Sequence, residues 1–182
     1  MVDLSTARQQ AVVASSPLLR QLPAATRLVL RGGSPVLAAA ADALGLPRSE
    51  AICRAVRKDG RAALWLGPDE RLLLGPADAG VEMCGLLQRA LEGMPHSLVD
   101  VSHAQVAIEV SGAGAVTALN IGCPLDLDAA AFPVDMCTRT VFAKAQIVLW
   151  RTGPETFRVD TGRSFAPYVT KVLALAARDS NS

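Results

Sequence analysis

Asp100, Ser102 and His103 bring an acid, a hydroxyl and an imidazole into one short stretch, the side-chain types of a nucleophilic triad. Spacing argues against that use. In an extended segment residues i and i+2 share a face and i+1 points away, so Ser102 is expected to face opposite His103. His103 therefore reads as a histidine that satisfies nearby backbone at the start of a strand, and His96, after Pro95, as a loop residue. The cysteines Cys53, Cys84, Cys123 and Cys137 contain no C-x-x-C pair, and only the two histidines could join them around zinc, so metal-ligand spacing is absent. Cys123 and Cys137 lack a basic cluster or a partner thiol at redox spacing and read as small core residues. Asp126 and Asp128 fall on an irregular link, where aspartates cap turns. Arg31-Gly32-Gly33-Ser34 lacks the G-x-G-x-x-G spacing that cradles a dinucleotide. On these grounds no catalytic, cofactor-binding or metal residue is assigned to the chain, and the cysteines are expected as free thiols in a reducing cytoplasm.

The elements that would position these residues follow from the hydrophobic pattern. Arg27 to Arg31 reads as a strand, and Ser34-Pro35 as the cap and first turn of a helix ended by Gly45. Strands are expected over 51–57, 62–66 and 71–74, with turns at Lys58-Asp59-Gly60 and Gly67-Pro68-Asp69. A helix from Pro76 to about Glu92 would bury Val81, Cys84, Leu87 and Leu91. The second half repeats the plan: a strand over 105–110, a short helix carrying Val116 and Leu119, a long strand region over 138–151 and a strand over 156–160. A last helix capped by Ser164 would bury Phe165, Tyr168, Val169, Val172, Leu173 and Ala176. Matching landmarks (Cys53 with Cys137, Leu64-Trp65 with Leu149-Trp150, Gly67-Pro68-Asp69 with Gly153-Pro154-Glu155) point to an α+β fold. It is read as duplicated β-α-β-β-α units in one pseudo-two-fold domain over 25–178, with pseudo-repeats of about 25–93 and 98–178.

A chain of 182 residues, half of them apolar, supports one substantial core, and with so few aromatics that core must be built from Leu, Val, Ile and Ala. Eighteen basic residues against seventeen acidic ones leave no electrostatic footprint for nucleic acid or an anionic membrane. Residues 1–24 read as an N-terminal arm that orders against a partner. Its apolar run, Ala11 to Ala14, is too short for a signal-peptide core, and no stretch reaches membrane-spanning length, so a cytoplasmic location is expected.

Asp100-Val101-Ser102-His103, followed by strand, glycine, helix and a strand pair, resembles the aminomethyltransferase of the glycine cleavage system over roughly 99–175. The resemblance implies a scaffold that holds tetrahydrofolate, with an aspartate assisting amine transfer just before the strand matching Ile147-Val148-Leu149-Trp150. This chain has Ala145-Gln146 there, which cannot supply a carboxylate. It is also too short for that family's extra C-terminal domain. Independent aminomethyl transfer is therefore not expected.

A second resemblance covers nearly the whole chain. Trp65-Leu66-Gly67-Pro68-Asp69-Glu70, Cys123-Pro124-Leu125-Asp126-Leu127, Cys137-Thr138-Arg139-Thr140, Val148-Leu149-Trp150-Arg151 and Arg163-Ser164-Phe165-Ala166-Pro167-Tyr168, in this order, resemble the gamma subunits of heterotetrameric sarcosine oxidases. That resemblance implies a non-catalytic structural subunit of a flavin-dependent oxidoreductase complex, in contact with alpha, beta and delta subunits, the alpha subunit foremost. It implies no cofactor on this chain and FAD, FMN, NAD, tetrahydrofolate and zinc on the other subunits. Arg139, Lys144, Arg151 and Arg163 are then candidate docking residues, with solvated strand positions the plainer reading. Trp65 and Trp150, if the halves correspond, are expected in equivalent core places. A stand-alone folate-binding one-carbon or repair protein is the alternative.

Overall fold

The computed structural model describes residues 16–179. Strand pairing gathers the described residues into two compact units, Pro23–His103, and residues 104–179 together with residues 16–22. The first unit contains β2 (Thr26–Gly32), α1 (Ser34–Ala43), β3 (Ala55–Lys58), β4 (Arg61–Gly67), β5 (Glu70–Gly75), α2 (Gly80–Ala90) and β6 (His96–Asp100). Its antiparallel sheet runs β3-β4-β5-β2-β6. The second contains β1 (Leu19–Gln21), β7 (Gln105–Ser111), α3 (Ala115–Asn120), β8 (Cys137–Phe142), β9 (Ala145–Gly153), β10 (Thr156–Gly162) and α4 (Ala166–Asp179), with sheet order β1-β7-β10-β9-β8. Each unit thus carries three strands between its helices, one more than the expected β-α-β-β-α plan.

Residues 1–15 of the expected arm lie outside the described residues, but its remainder contains a strand: Leu19 pairs with Val110 and Gln21 with Ile108. Leu18 and Leu19 are buried there, and an apolar pair of this kind draws a segment onto a sheet edge.

In the first unit Leu28, Leu30, Ala63 and Leu73 meet Val36, Ala40, Met83 and Leu87 of the helices. Each fully buried leucine contributes roughly 1.5–3 kcal/mol. Ala62, Leu64, Leu72 and Leu74, on the opposite face of β4 and β5, are buried as well. Burial of both faces is why these strands read as near-continuous apolar runs. In the second unit Ile108, Val110, Ile147, Leu149, Phe157 and Val159 pack with Leu119, Val169 and Leu173.

Several local expectations are corrected. Ser34 is the first helical residue of α1 and Gly33 its cap, with Pro35 in the first turn. α2 begins at Gly80, and Val81 is exposed while Met83 takes the buried place. The 138–151 region is a hairpin, turned at Ala143 with φ 51°, where no glycine or asparagine signalled a turn. Ser164 lies one residue before the cap position of α4, and Phe165 and Tyr168 are exposed.

Hairpin register also revises the landmarks. Gly67 pairs with Glu70 and Trp65 with Arg71, while Gly153 pairs with Thr156 and Arg151 with Phe157. Counted from each turn, Trp65 therefore corresponds to Arg151 and Leu64 to Trp150. The shift is one residue, which in a strand exchanges faces. Trp150 is buried and Trp65 half-buried, so they do not fill equivalent core places. Cys53 sits in a turn at φ 55°, and Cys137 is fully buried in β8 opposite Trp150.

Candidate functional site

Asp100 ends β6, Ser102 and His103 lie in the turn after it, and His96, expected in a loop, instead opens β6 opposite Gly32. Asp100 Oδ1 accepts from the backbone N–H of Ser102 at 2.8 Å, an Asx turn. Ser102 Oγ in turn accepts from the N–H of Arg27 at 2.9 Å, while Val101 N–H donates to the carbonyl of Arg27 at 2.8 Å. Hydrogen bonds from the side chain and backbone of Ser102 hold the Asp100 carboxyl below the usual range, and His103 adds to this electrostatically. Asp100 Oδ2 also lies 3.9 Å from where a Cβ on Gly80 would stand, so its charge faces the amino end of α2. Nearby Cys84 is pushed up by burial and by the Asp100 charge. The serine hydroxyl is engaged in closing a strand end, and both burial and the Asp100 charge favour the protonated thiol of Cys84. What these residues do here is clasp β2, β6 and α2 together.

Cys123 and Cys137 are buried in the second unit, and burial raises the Cys123 thiol against hydrogen bonds involving Leu125 and Thr140. Ala145 is fully buried and Gln146 exposed at the start of β9. Asp128 N–H donates to Asp126 Oδ1, and Ala130 N–H to Asp128 Oδ1, both at 2.9 Å, so each aspartate closes a turn. No group of three or more His, Cys, Asp or Glu side chains positioned to hold a metal occurs among the described residues.

The candidate docking arginines separate. Arg139, Lys144 and Arg163 are exposed. Arg151 is buried, and its guanidinium spans the unit's interior: Nη1 donates to the carbonyls of Phe132 at 2.8 Å and Leu127 at 3.2 Å, and Nε to Pro154 at 3.1 Å. Its Cζ stands 5.0 Å from the Phe157 ring. Arg151 is thus corrected from a contact residue to an internal clamp on residues 121–136.

The pattern of residue types did not reveal a cleft of about 360 Å³ in the first unit, between α1 and the sheet. Leu37 and Ala41 of α1, Ala63 and Trp65 of β4, and Arg71 and Leu73 of β5 line it. Arg71 Cζ lies 5.8 Å from the Trp65 ring, and its Nη1 donates to Gly67 O at 2.7 Å and Glu70 O at 2.9 Å. The signal was available in the register: Trp65 and Arg71 flank the Gly67-Pro68-Asp69 turn on one face. Apolar walls with a stacked arginine suit recognition of an apolar group next to a negative one.

Two antiparallel sheets bearing helices define the class of scaffold seen in aminomethyltransferases. The glycine cleavage system aminomethyltransferase T from Bartonella henselae superposes with a TM-score of 0.63, over 94% of this chain and 52% of that one, at 14% identity, a likeness of fold. The heterotetrameric sarcosine oxidase from Corynebacterium sp. U-96, in complex with pyrrole 2-carboxylate, contains a chain matching with a TM-score of 0.89 and 29% identity, over 98% of this chain and 95% of that one. The sarcosine oxidase subunit gamma of an Arthrobacter species is 36% identical over 159 residues, covering 86% of this chain and 77% of the relative. That of Corynebacterium sp. strain P-1 is 35% identical over 174 residues, 93% of this chain and 84% of the relative. Residues 31–179 match the sarcosine oxidase gamma subunit family, and the chain belongs to that family.

Proposed function

We propose that this chain is the non-catalytic structural gamma subunit of a heterotetrameric sarcosine oxidase, assembled with alpha, beta and delta subunits and touching alpha directly. The complex would convert sarcosine, oxygen and water to glycine, formaldehyde and hydrogen peroxide. Where tetrahydrofolate is present, the one-carbon unit would leave as methylenetetrahydrofolate. FAD, FMN, NAD, tetrahydrofolate and zinc would reside on the other subunits. The observation that carries this reading is the near end-to-end likeness to a chain of the heterotetrameric enzyme. Chemistry agrees with it: the serine, thiols and aspartates that tempted a catalytic reading are engaged in turns and cores. The surface agrees too, since Phe165 just before α4 and Tyr168 and Leu175 within it expose apolar area, as expected of a chain that is covered in an assembly. Duplication of one β-α-β-β-β-α unit would account for the shared sheet order of the two halves.

Co-expression of the tagged chain with its genomic neighbours, followed by pull-down, sizing and a flavin absorbance scan, tests the reading. A yellow four-chain complex that oxidises sarcosine, with no flavin on the isolated chain, is the expected result. A colourless monomer without partners would refute it.

A further inference from the structure

The cleft beside Trp65 and Arg71 has a counterpart in the second unit, and that counterpart is full. By strand register Arg71 corresponds to Phe157, Trp65 to Arg151, Leu30 to Val110 and Leu73 to Val159. Against Phe157 lies Phe132, its ring centroid 6.5 Å away and its side chain 1% exposed. Phe132 comes from residues 121–136, which join α3 to β8 and also bury Leu127. In the first unit the equivalent link, residues 44–54, is shorter and supplies no such side chain. It passes along the rim, leaving Ile52 71% exposed. The helix wall there is small as well, with Ala38, Ala40 and Ala41 lining the cleft.

The charge at the rim carries a sign. Arg48, Arg54 and Arg71 line the cleft against Glu50 alone, and Asp42 offsets Arg48 by pairing with it. Arg54 has no ion-pair partner among the described residues. The loop that fills the counterpart is itself acidic, with Asp126, Asp128 and Asp135 flanking Phe132-Pro133 in sequence.

We propose that the first unit's cleft is the seat of an acidic segment of another polypeptide, whose aromatic side chain enters beside Trp65 and Arg71 as Phe132 does beside Arg151 and Phe157. The proposal rests on the subunit reading above, because the segment is assigned to another chain of the oxidase complex. The aromatic group gains apolar burial and a stacked guanidinium, and a flanking carboxylate meets Arg54.

The test uses the co-expressed complex. Arg54→Glu reverses the rim charge, and Ala41→Trp fills the cleft from α1. Each is expected to lower recovery of the docking chain about tenfold, in the range of a strong interface contact, while circular dichroism of the purified variant matches wild type. A photoreactive p-benzoylphenylalanine replacing Ile52 is expected to cross-link a single segment that holds an aromatic residue between carboxylates. Undiminished assembly of a folded Arg54→Glu variant overturns the proposal. So does a cross-link to a second copy of this chain or to a segment without an aromatic residue. A wild-type chain that recovers no partner removes the subunit reading and this proposal with it. Normal wild-type assembly with unaffected variants removes this proposal alone.

Discussion

Replacing Arg151 with methionine should destabilise the chain strongly, because its guanidinium holds residues 121–136 from inside the second unit. Methionine keeps much of the apolar stem and removes the donors. The buried carbonyls of Leu127 and Phe132 then lose a charged donor at 3.2 and 2.8 Å, and Pro154 loses one at 3.1 Å. Each buried acceptor left without its partner costs about 1–3 kcal/mol, so the two innermost carbonyls alone account for roughly 2–6 kcal/mol. Loss of the contact over Phe157 adds about 0.5–2 kcal/mol. Removing a buried charge returns part of its desolvation cost, which brings the expected net loss to about 2–4 kcal/mol. For a chain of this size that lowers Tm by about 2–4 °C per kcal/mol. The assay is urea denaturation of wild type, Arg151→Met and Arg151→Lys, followed by both fluorescence and circular dichroism. Arg151→Lys should fall between the others, because one ammonium cannot reach all the carbonyls at once. A methionine variant within about 0.5 kcal/mol of wild type would show that residues 121–136 hold their fold without the clamp and would refute the reasoning.

Gly122→Ala should cost about 1–3 kcal/mol by overpacking, since a Cβ there would stand 2.8 Å from Phe142 Cε2 and 3.0 Å from the Ala143 nitrogen; thermal unfolding measures it. Asp100→Asn tests the strand clasp through pH. The folded carboxyl titrates below the ordinary aspartate value, so its hydrogen bonds stabilise the fold above about pH 4 and the benefit is lost as pH falls through the lower folded value. Because Asp100 is exposed, the neutral-pH difference should stay under about 1 kcal/mol. It should shrink in acid, and a difference that is constant from pH 7 to pH 2.5 in urea titrations would contradict the assignment.

The reach of the sequence differs from one element to another for identifiable reasons. Most strands and helices were legible because apolar residues recur at two- or three-to-four-residue intervals, and Gly45 and the two Gly-Pro turns punctuate them. The ordered fragments from Trp65 to Tyr168 are legible as a family pattern in the sequence alone. The hairpin at Ala143 was hidden because a non-glycine residue adopts the left-handed turn conformation. Leu19–Gln21 was hidden because three residues carry too little periodicity to mark a strand whose partner, β7, lies far along the chain.

Local chemistry in the sequence determined most of the elements, and its spacing offered neither a dinucleotide loop nor paired metal ligands. Tertiary structure decided which residues meet. A one-residue register difference set Trp65 against Arg71 and Arg151 against Phe157, where matching by residue type had paired the tryptophans. It also turned Arg151 inward as a clamp and left a cleft open in one unit where Phe132 fills its counterpart in the other. Side-chain period along a strand is local, but register is fixed by turns, bulges and the packing of distant segments, and those are properties of the folded chain.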